Sequence, residues 1–425
     1  MTLFLLIVFI FFLVIGAPIG ICFGLSSLFG IQAMHLSNLI AMSQRFFEGI
    51  NSFALLAVPL FTFAGLLMGA GGIGKRLIDF SYSIVGHITG GLAHVNVVTS
   101  MIFAGISGSA AADTAYESAL IMKPMVAKKY SKEFTVAVTA ISSTIGIIIP
   151  PSIPMVIIAG ILGISTGKLF LGGIIPGILC GLAQIIVSYY MAKKEKVPKE
   201  EGKFELMGVW RAFKKSFLAL LMPPVIMVSI VSGIVSATEV ALIAVVYSLI
   251  VGGLVYKELN RQNIKEALIG TVKTTGKIFI IIGSAALFGK LLTILGFDKI
   301  LANTILSIST NPTIVLILIL FILLILGMFM ETISIIVLFL PILYPIVLQV
   351  GIDPIVMSVL AIIVLGIGLV TPPEGMCLFI ACDFLKVKIT SAMGALIPFI
   401  IGTLIVVALI MIFPQLVLWP AGWIG

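Results

Sequence analysis

The chain has 425 residues, of which 60% are hydrophobic and only 10% are charged. Its mean hydropathy is +1.29, whereas soluble domains carry charge on about a quarter of their residues. This composition excludes a soluble protein and predicts an all-α, polytopic membrane protein with roughly ten to twelve crossing or re-entrant segments. The net charge of +8 comes from basic residues scattered through short loops, which is typical of cytoplasmic loops and not of a nucleic-acid-binding surface.

The first apolar segment covers residues 2–15, and the apolar pattern continues to residue 31. No basic region precedes it, although a secretory signal peptide begins with one. The sequence therefore predicts a first membrane span and not a cleaved leader.

A stretch of small residues precedes a predicted helix break in the first half of the chain. The stretch is Ser107-Gly-Ser-Ala-Ala-Ala-Asp113-Thr, and Gly146-Ile-Ile-Ile-Pro150-Pro151-Ser-Ile-Pro-Met follows it. A proline removes a backbone donor and clashes with the preceding turn. We therefore expect a membrane helix to break at Pro150.

Residues 193–215 form the long polar connection of the chain. Basic residues outnumber acids by eight to four in this segment, which places it in the cytoplasm. It divides the chain into a predicted first membrane repeat, 1–192, a linker, 193–215, and a second repeat, 216–425.

The second half repeats the pattern of the first. Gly327-Met-Phe-Met-Glu331-Thr332 is followed by Gly368-Leu-Val-Thr-Pro372-Pro373-Glu-Gly-Met. The proline pair begins 37 residues after Asp113 in the first half and 41 residues after Glu331 in the second. The agreement in order and spacing predicts a duplicated element with a second break at Pro372.

Broken helices have a physical requirement that indicates their role. Unwound backbone is tolerated at membrane depth only where protein or a water-filled cavity satisfies its polar groups. Free carbonyls there suit a small alkali cation, and the N-terminus of the next half-helix suits an anion. Hydroxyls near the breaks are further candidate ligands: Ser107, Ser109, Thr332 and Thr371. Tight packing of small residues is the alternative explanation, but it needs neither a double proline nor a nearby acid.

Acids within apolar segments also require an explanation, because each costs about 2.5–3.5 kcal/mol at mid-membrane without a partner. We predict that Asp113 and Glu331 occupy matching repeat positions and help to bind cation or substrate. Glu239 follows Ser236 at the start of an apolar segment, where an acid can cap a helix. Glu374 follows the second proline pair, and its role stays open.

Four cysteines lie within apolar segments without the spacing of a zinc or redox site, and the three histidines form no HExxH cluster. No catalytic triad and no phosphate-binding loop is present in the sequence. We therefore predict neither an enzyme nor a resident cofactor.

The sequence resembles the large membrane subunit of tripartite ATP-independent periplasmic (TRAP) transporters of the dicarboxylate and sialic acid type, over essentially the whole chain. The matching motifs are Pro59-Leu-Phe, Gly86-His-Ile-Thr-Gly-Gly, Ser107-Gly-Ser-Ala-Ala-Ala-Asp, Pro150-Pro-Ser-Ile-Pro-Met, Ser236-Ala-Thr-Glu, Gly327-Met-Phe and Thr371-Pro-Pro-Glu-Gly-Met. Glu374 departs from the family pattern, in which an apolar residue is common there.

The resemblance implies two inverted repeats with helical hairpins, an elevator mechanism and sodium coupling in the bacterial inner membrane. It implies three partners: a small four-span membrane subunit on a separate chain, a soluble periplasmic binding protein and a small organic acid, with membrane lipid around the spans. One sodium site would use Ser107, Ser109, Gly146, Ile149 and Pro151. The other would use Gly327, Met330, Thr332, Gly368, Val370, Thr371 and Pro373. Substrate would lie near Asp113, Ser152 and Glu331.

Two alternatives remain at this point. A standalone sodium and organic anion symporter would need no binding protein, and an ion channel would also have broken helices lining its pore. Among substrates, the sequence does not separate C4-dicarboxylates from sialic acid and related acids, although we favour the latter.

Overall fold

A computed structural model of the chain describes residues 1–34, 39–198, 204–232 and 235–424. Across these ranges the regular secondary structure is helical, and no β-strand is present. The predicted all-α class is confirmed.

The first half of the chain begins with a helical pair and ends with a long helix. Its helices are α1 (Thr2–Val14), α2 (Ile19–Ala33), α3 (Leu39–Ile50), α4 (Ala57–Ala70), α5 (Ile73–Val85), α6 (Gly91–Ser107), α7 (Ala110–Glu117), α8 (Lys123–Ala127), α9 (Lys132–Ser143), α10 (Ile153–Leu162) and α11 (Thr166–Lys194). A π-helical segment, Ser118–Met122, joins α7 to α8, so these two form one continuous helical segment.

The second half has the same succession of elements. Its helices are α12 (Leu206–Val231), α13 (Ala237–Leu249), α14 (Arg261–Ile294), α15 (Phe297–Ile308), α16 (Pro312–Phe329), α17 (Thr332–Gln349), α18 (Pro354–Gly368), α19 (Met376–Leu385), α20 (Ile389–Ile412) and α21 (Gln415–Ala421). Helix α12 begins inside the predicted linker 193–215, and residues 199–203 of that linker lie outside the described residues.

Eight helical segments of the described ranges are long and apolar enough to cross a membrane. They are Phe53–Ala70, Thr166–Lys194, Leu206–Val231, Ala237–Val255, Arg261–Ile294, Pro312–Phe329, Thr332–Gln349 and Ile389–Ile412. Six further apolar helices have 10–17 residues, among them α6, α10, α18 and α19. Of these four, α6 and α18 end at a hairpin tip or a helix break, and α10 and α19 begin at a break.

Each half contains a hairpin followed by a broken helix. Helices α6 and α7 contact each other and α9, and in the same way α16 and α17 contact each other and α18. The helix of α9 ends before Pro150 and restarts as α10 at Ile153, whereas α18 ends at Gly368 and restarts as α19 at Met376. The breaks predicted at Pro150 and Pro372 are therefore confirmed. Both Pro–Pro peptide bonds are cis.

Each half of the chain packs a half-helix against the hairpin of the other half. Helix α10, which follows the first break, packs against α17 and α18, while α19, which follows the second break, packs against α7 and α9. Every half-helix after a break thus lies against the hairpin and broken helix of the opposite half. This reciprocal packing brings both breaks into the centre of the molecule.

One end of the molecule is rich in basic residues. Ser131 Oγ at the start of α9 donates a 2.7 Å hydrogen bond to Glu195 at the end of α11. Lys128 Nζ lies 5.7 Å from the ring centroid of Tyr82, which joins α5 to the same end. Further basic residues follow on the adjoining chain ends, such as Lys129, Lys132, Lys193, Lys194 and Lys196. The positive-inside rule places this end in the cytoplasm.

Matching helices of the two halves run in opposite directions. Helix α11 ends at the basic end, whereas its counterpart α20 begins there, because Lys123 of α8 lies 5.7 Å from the ring of Phe384 at the end of α19. Likewise α4 ends beside Gly252, next to the residues that lead into α14. The repeats are therefore inverted, as the sequence resemblance implied.

Candidate functional site

The tip of the first hairpin contacts the first break. Between α6 and α7, Gly108 has a φ of +63°, which favours glycine. Its carbonyl accepts a 3.4 Å hydrogen bond from the Ile153 amide, and a Cβ on Gly108 would lie 2.8 Å from the Pro151 carbonyl oxygen. The hairpin tip and the unwound backbone therefore touch directly.

The second half makes the equivalent contact. The Glu374 amide donates a 2.9 Å hydrogen bond to the Met328 carbonyl. A Cβ on Gly368 would lie 2.7 Å from the Gly327 carbonyl oxygen, so only glycine fits at this crossing of α16 and α18. Backbone carbonyls at the ends of these two helices consequently lie in close proximity, as a cation site would require.

A cavity of about 390 Å³ lies between the two hairpin tips. Four helices begin at its wall: α7, α10, α17 and α19. The first N–H groups of a helix have no partner within it and carry the positive end of the helix dipole. The wall residues at these four starts are Ala110, Ala111, Ala112, Ile153, Pro154, Thr332, Ile333 and Met376. The cavity therefore presents partial positive charge from several directions.

Helix α14 closes the cavity and contributes a lysine that forms an ion pair at its wall. Lys277 and Thr274 line it, and Lys277 Nζ lies 3.2 Å from the Glu331 carboxylate. The Lys277 side chain is 57% exposed and that of Glu331 is 19% exposed. A neighbouring cavity is lined by the same pair together with Glu374, whose Oε2 has no hydrogen-bond partner within the described ranges. This neighbouring cavity therefore holds one lysine and two carboxylates.

The residues predicted for the first sodium site lie together in the structure. Ser107 is buried, and its Oγ accepts a 3.3 Å hydrogen bond from the Ser109 amide. A Cβ on Gly146 would collide with the Asp113 carboxylate, so Asp113 lies against this position. The Pro151 carbonyl lies beside Gly108 at the same hairpin tip, and Ile149 precedes Pro151 by two residues. The donor set consists of neutral oxygens and one acid, which fits an alkali cation.

The residues predicted for the second sodium site are also brought together. Gly327 and Gly368 are in contact, as described above, and Thr332 begins α17 directly after Met330 and Glu331. Thr371 Oγ1 donates a 2.7 Å hydrogen bond to the Ile367 carbonyl, which leaves its lone pairs available. Val370 is buried, and Pro373 continues the unwound segment.

The predicted substrate residues do not all reach the cavity. Glu331 lines it. Asp113 is buried beside Gly146 and lies with the residues predicted for the first sodium site. Ser152 is buried too, and its hydroxyl is used locally, donating to the Ile147 carbonyl and accepting from the Met155 amide at the start of α10.

The structure corrects the predicted correspondence between Asp113 and Glu331. Glu331 is the residue before α17, so its counterpart is Ser109, the residue before α7. Asp113 lies in the first turn of α7, where the helix dipole favours a carboxylate. The mismatch arises because each hairpin turns at a position that tertiary packing determines.

Sequence reasoning missed Lys277 and Thr274. The signal was available, since Lys277 precedes the apolar run Ile-Phe-Ile-Ile-Ile and a charge within a membrane helix needs the same explanation as an acid. The prediction for Glu239 is confirmed: it forms a capping box with Ser236 at the start of α13. Among the described residues, no group of three or more His, Cys, Asp or Glu side chains could hold a metal ion.

Comparison with known proteins agrees with this arrangement. The chain is 37% identical to the sialic acid TRAP transporter large permease protein SiaM of Vibrio cholerae, over 95% of this chain and 94% of that protein. It is 36% identical to the isethionate TRAP transporter permease protein DctMQ of Oleidesulfovibrio alaskensis, over 97% of this chain and 65% of that protein. It is 33% identical to the C4-dicarboxylate TRAP transporter large permease protein DctM of Pseudomonas aeruginosa, over 95% and 94% respectively.

The fold is shared with a more distant transporter. The crystal structure of the Alcanivorax borkumensis YdaH transporter superposes with a TM-score of 0.63 at 12% identity, covering 92% of this chain and 90% of that one. Residues 6–416 match the family described as the tripartite ATP-independent periplasmic transporter, DctM component. The chain is therefore a multi-pass inner-membrane protein that belongs to the DctM family of TRAP transporter large permeases.

Proposed function

We propose that this chain is the substrate-translocating subunit of a sodium-coupled TRAP transporter that imports a small organic acid. The observation that carries the proposal is the convergence of four helix starts and Lys277 on one central cavity. Helix N-termini and a lysine together form a site for a carboxylate or sulfonate group. The cavity is large enough for a small solute, since ligand pockets generally measure about 300–1,000 Å³.

Sodium coupling is supported by the two clusters that flank this cavity. Ser109 and Thr332 belong to the predicted cation sets and also line the cavity. Carbonyl and hydroxyl oxygens are the ligands that a hard cation prefers. A cation bound in each cluster would add positive charge beside the solute, so that sodium and anion would stabilise each other. No resident cofactor is part of this proposal.

The relatives support the substrate class and the partners. Their printed names refer to sialic acid, isethionate and C4-dicarboxylates, which are all small organic acids. We extend this class to the chain, with a periplasmic binding protein delivering the acid and a small four-span subunit completing the membrane complex. Sialic acid or a C4-dicarboxylate is the substrate type we propose.

An elevator motion is consistent with the packing. The hairpins and broken helices contact one another across the two halves, whereas α14 contacts α2, α3 and α4 as well as α17. We propose that the hairpin unit moves along α14 and carries the solute with it.

Transport measurements in proteoliposomes test this function. The chain would be reconstituted with its small subunit, and binding protein loaded with labelled N-acetylneuraminate, isethionate or succinate would be added outside. We expect uptake of one of these acids under an inward sodium gradient, and loss of that uptake when potassium replaces sodium. Uptake that is indifferent to the sodium gradient would contradict the coupling.

Replacing a hydroxyl residue of the predicted second sodium site tests whether that site couples sodium to uptake. Thr332→Ala should raise the sodium concentration for half-maximal uptake by about tenfold, which corresponds to about 1.4 kcal/mol. Thr304→Ala is the matched control, because Thr304 is exposed on α15 and its hydroxyl bonds only to Ile300 of its own helix. Equal sodium dependence in both variants would remove Thr332 from the cation site.

A further inference from the structure

A second large cavity lies farther along the helices that line the central one. Its volume is about 580 Å³, and its wall includes the last turns of α14, the second half of α17 and the end of α10. Helix α3 and residues 52–55 close the remaining side. It is farther from the basic end than the central cavity, because α14 begins at that end with Arg261 and reaches this wall between Ile282 and Thr293.

Only a thin barrier separates the two cavities. On α14, Ile278 lines the central cavity and Ile282 lines the second one, and on α17 the corresponding residues are Ile333 and Val337. Four residues of α-helix rise about 6 Å. The intervening residues are mostly apolar. Ile281 is 2% exposed and Ile335 and Ile336 are 0% exposed, whereas Phe279 is half-buried, Ile280 is exposed and Ser334 adds one buried hydroxyl. The two cavities therefore lie one after the other along α14 and α17, separated by about one helical turn.

The second cavity contains polar groups that lack partners. Arg45 is neutralised by Glu48 at 2.7 Å. Lys290 has no carboxylate within 4.0 Å in the part of the chain that the structure describes, and Asp298 Oδ1 is buried there without a hydrogen-bond donor. A buried acceptor without a donor costs about 1–3 kcal/mol, more when it is charged. The wall thus holds one cation without a counter-ion and one carboxylate oxygen without a donor.

We propose that this cavity is a second binding position for the transported solute, and that it takes an organic acid bearing hydroxyl or amine groups. Lys290 binds the carboxylate of the solute, and Asp298 accepts a hydrogen bond from its hydroxyl or amine. A plain dicarboxylate would place its second negative charge near Asp298, which repels it. This inference rests on the proposed transport function and narrows its substrate class to hydroxylated acids such as N-acetylneuraminate.

Oriented proteoliposomes test the position and the selectivity. The complete complex would be assayed with labelled N-acetylneuraminate and with labelled succinate, supplied from either face. Lys290→Gln should raise the KM for N-acetylneuraminate about tenfold from the face of the second cavity and leave kcat unchanged. The KM from the opposite face should not change. Lys290→Arg, which keeps the charge, should restore the KM.

Asp298→Asn tests the recognition of the second group. We expect this variant to reduce the preference for N-acetylneuraminate over succinate several-fold, because the repulsive charge is removed. Lys299→Gln is the control, since Lys299 is exposed like Lys290 and neighbours Asp298 but does not line the cavity.

The outcomes separate the two proposals. A wild-type complex that shows sodium-driven uptake, with Lys290→Gln and Asp298→Asn indistinguishable from Lys299→Gln, overturns the second position and leaves the transport function standing. Wild-type uptake of succinate without N-acetylneuraminate overturns the assigned substrate class. A wild-type complex that transports neither of these acids, nor isethionate, from either face overturns the second position together with the function on which it rests.

Discussion

Lys277 introduces a positive charge into a helix whose following residues are aliphatic or aromatic. A charged side chain at membrane depth is tolerated where it faces a cavity or a partner, and Lys277 has both, since it lines the central cavity and pairs with Glu331. The pair is partly exposed, so it contributes little to stability, about 0–1 kcal/mol. Its position therefore suits solute binding better than structural support.

Replacing Lys277 should affect the solute and not the fold. We predict that Lys277→Ala raises the KM for the transported acid at least about tenfold, or about 1.4 kcal/mol, because its loss leaves the Glu331 carboxylate unpaired beside the solute. Lys273→Ala is the control, since Lys273 is exposed one turn earlier on α14 and does not line the cavity. Initial-rate uptake at fixed sodium measures both variants. A KM that is the same in both would exclude Lys277 from solute binding.

Asp113 should contribute to sodium binding and not to solute binding. Both of its carboxylate oxygens lack hydrogen-bond partners within the described ranges, and it is buried beside Gly146. A nearby cation would offset the cost of this buried charge. We predict that Asp113→Ala raises the sodium concentration for half-maximal uptake about tenfold or more.

Glu239→Ala provides the contrast for Asp113. Glu239 closes a capping box on α13, so its loss should slightly lower the free energy of unfolding and leave sodium dependence unchanged. Sodium titration of uptake and thermal unfolding in detergent measure the two effects. Equal losses of transport in both variants at normal membrane abundance would contradict the role of Asp113.

The crossing of α16 and α18 shows how an element depends on one glycine. The α18 backbone at Gly368 lies so close to Gly327 that a side chain would have to displace the chain. Gly368→Ala should therefore separate the hairpin tip from the break, cost about 1–3 kcal/mol and abolish coupled transport. Gly394→Ala in α20 has nothing within 4 Å of its added Cβ and should keep full activity. Uptake and thermal unfolding compare the two, and an active Gly368→Ala would refute the required close approach.

Elements were predictable from the sequence where local chemistry determines them. The breaks at Pro150 and Pro372 follow from the missing donor and the steric clash of proline, and the capping box at Ser236 follows from its spacing to Glu239. The hairpin tips were not predictable in the same way. Gly108 follows the end of α6 where α10 begins against it, and α16 ends shortly after its crossing with α18 at Gly327. Such contacts join residues far apart in sequence.

The architecture of the whole molecule is explained by two copies of one element, a hairpin followed by a broken helix. Similar motifs in each half predicted two repeats. Because a half-helix of each repeat, α10 or α19, covers the hairpin of the other repeat, a single repeat could not form this packing alone. What the sequence could not supply was the wall of the cavity. Four helix starts and Lys277 meet there only after the inverted copies interlock, so the cavity that we propose as the anion site depends on both halves.

Inversion and charge together determine how the molecule lies in the membrane. Helix α11 has 29 residues and is about 43 Å long, so it crosses the bilayer with its ends on opposite sides. Its last turn holds Lys193 and Lys194, whereas Lys168 lies in its first turn. We predict that Lys193→Cys is labelled by a membrane-impermeant thiol reagent from the cytoplasmic side, and Lys168→Cys from the periplasmic side. The native cysteines Cys22, Cys180, Cys377 and Cys382 are all buried, so the background should be low. Labelling of both variants from one side, in intact cells and inverted vesicles, would overturn the assignment of the basic end to the cytoplasm.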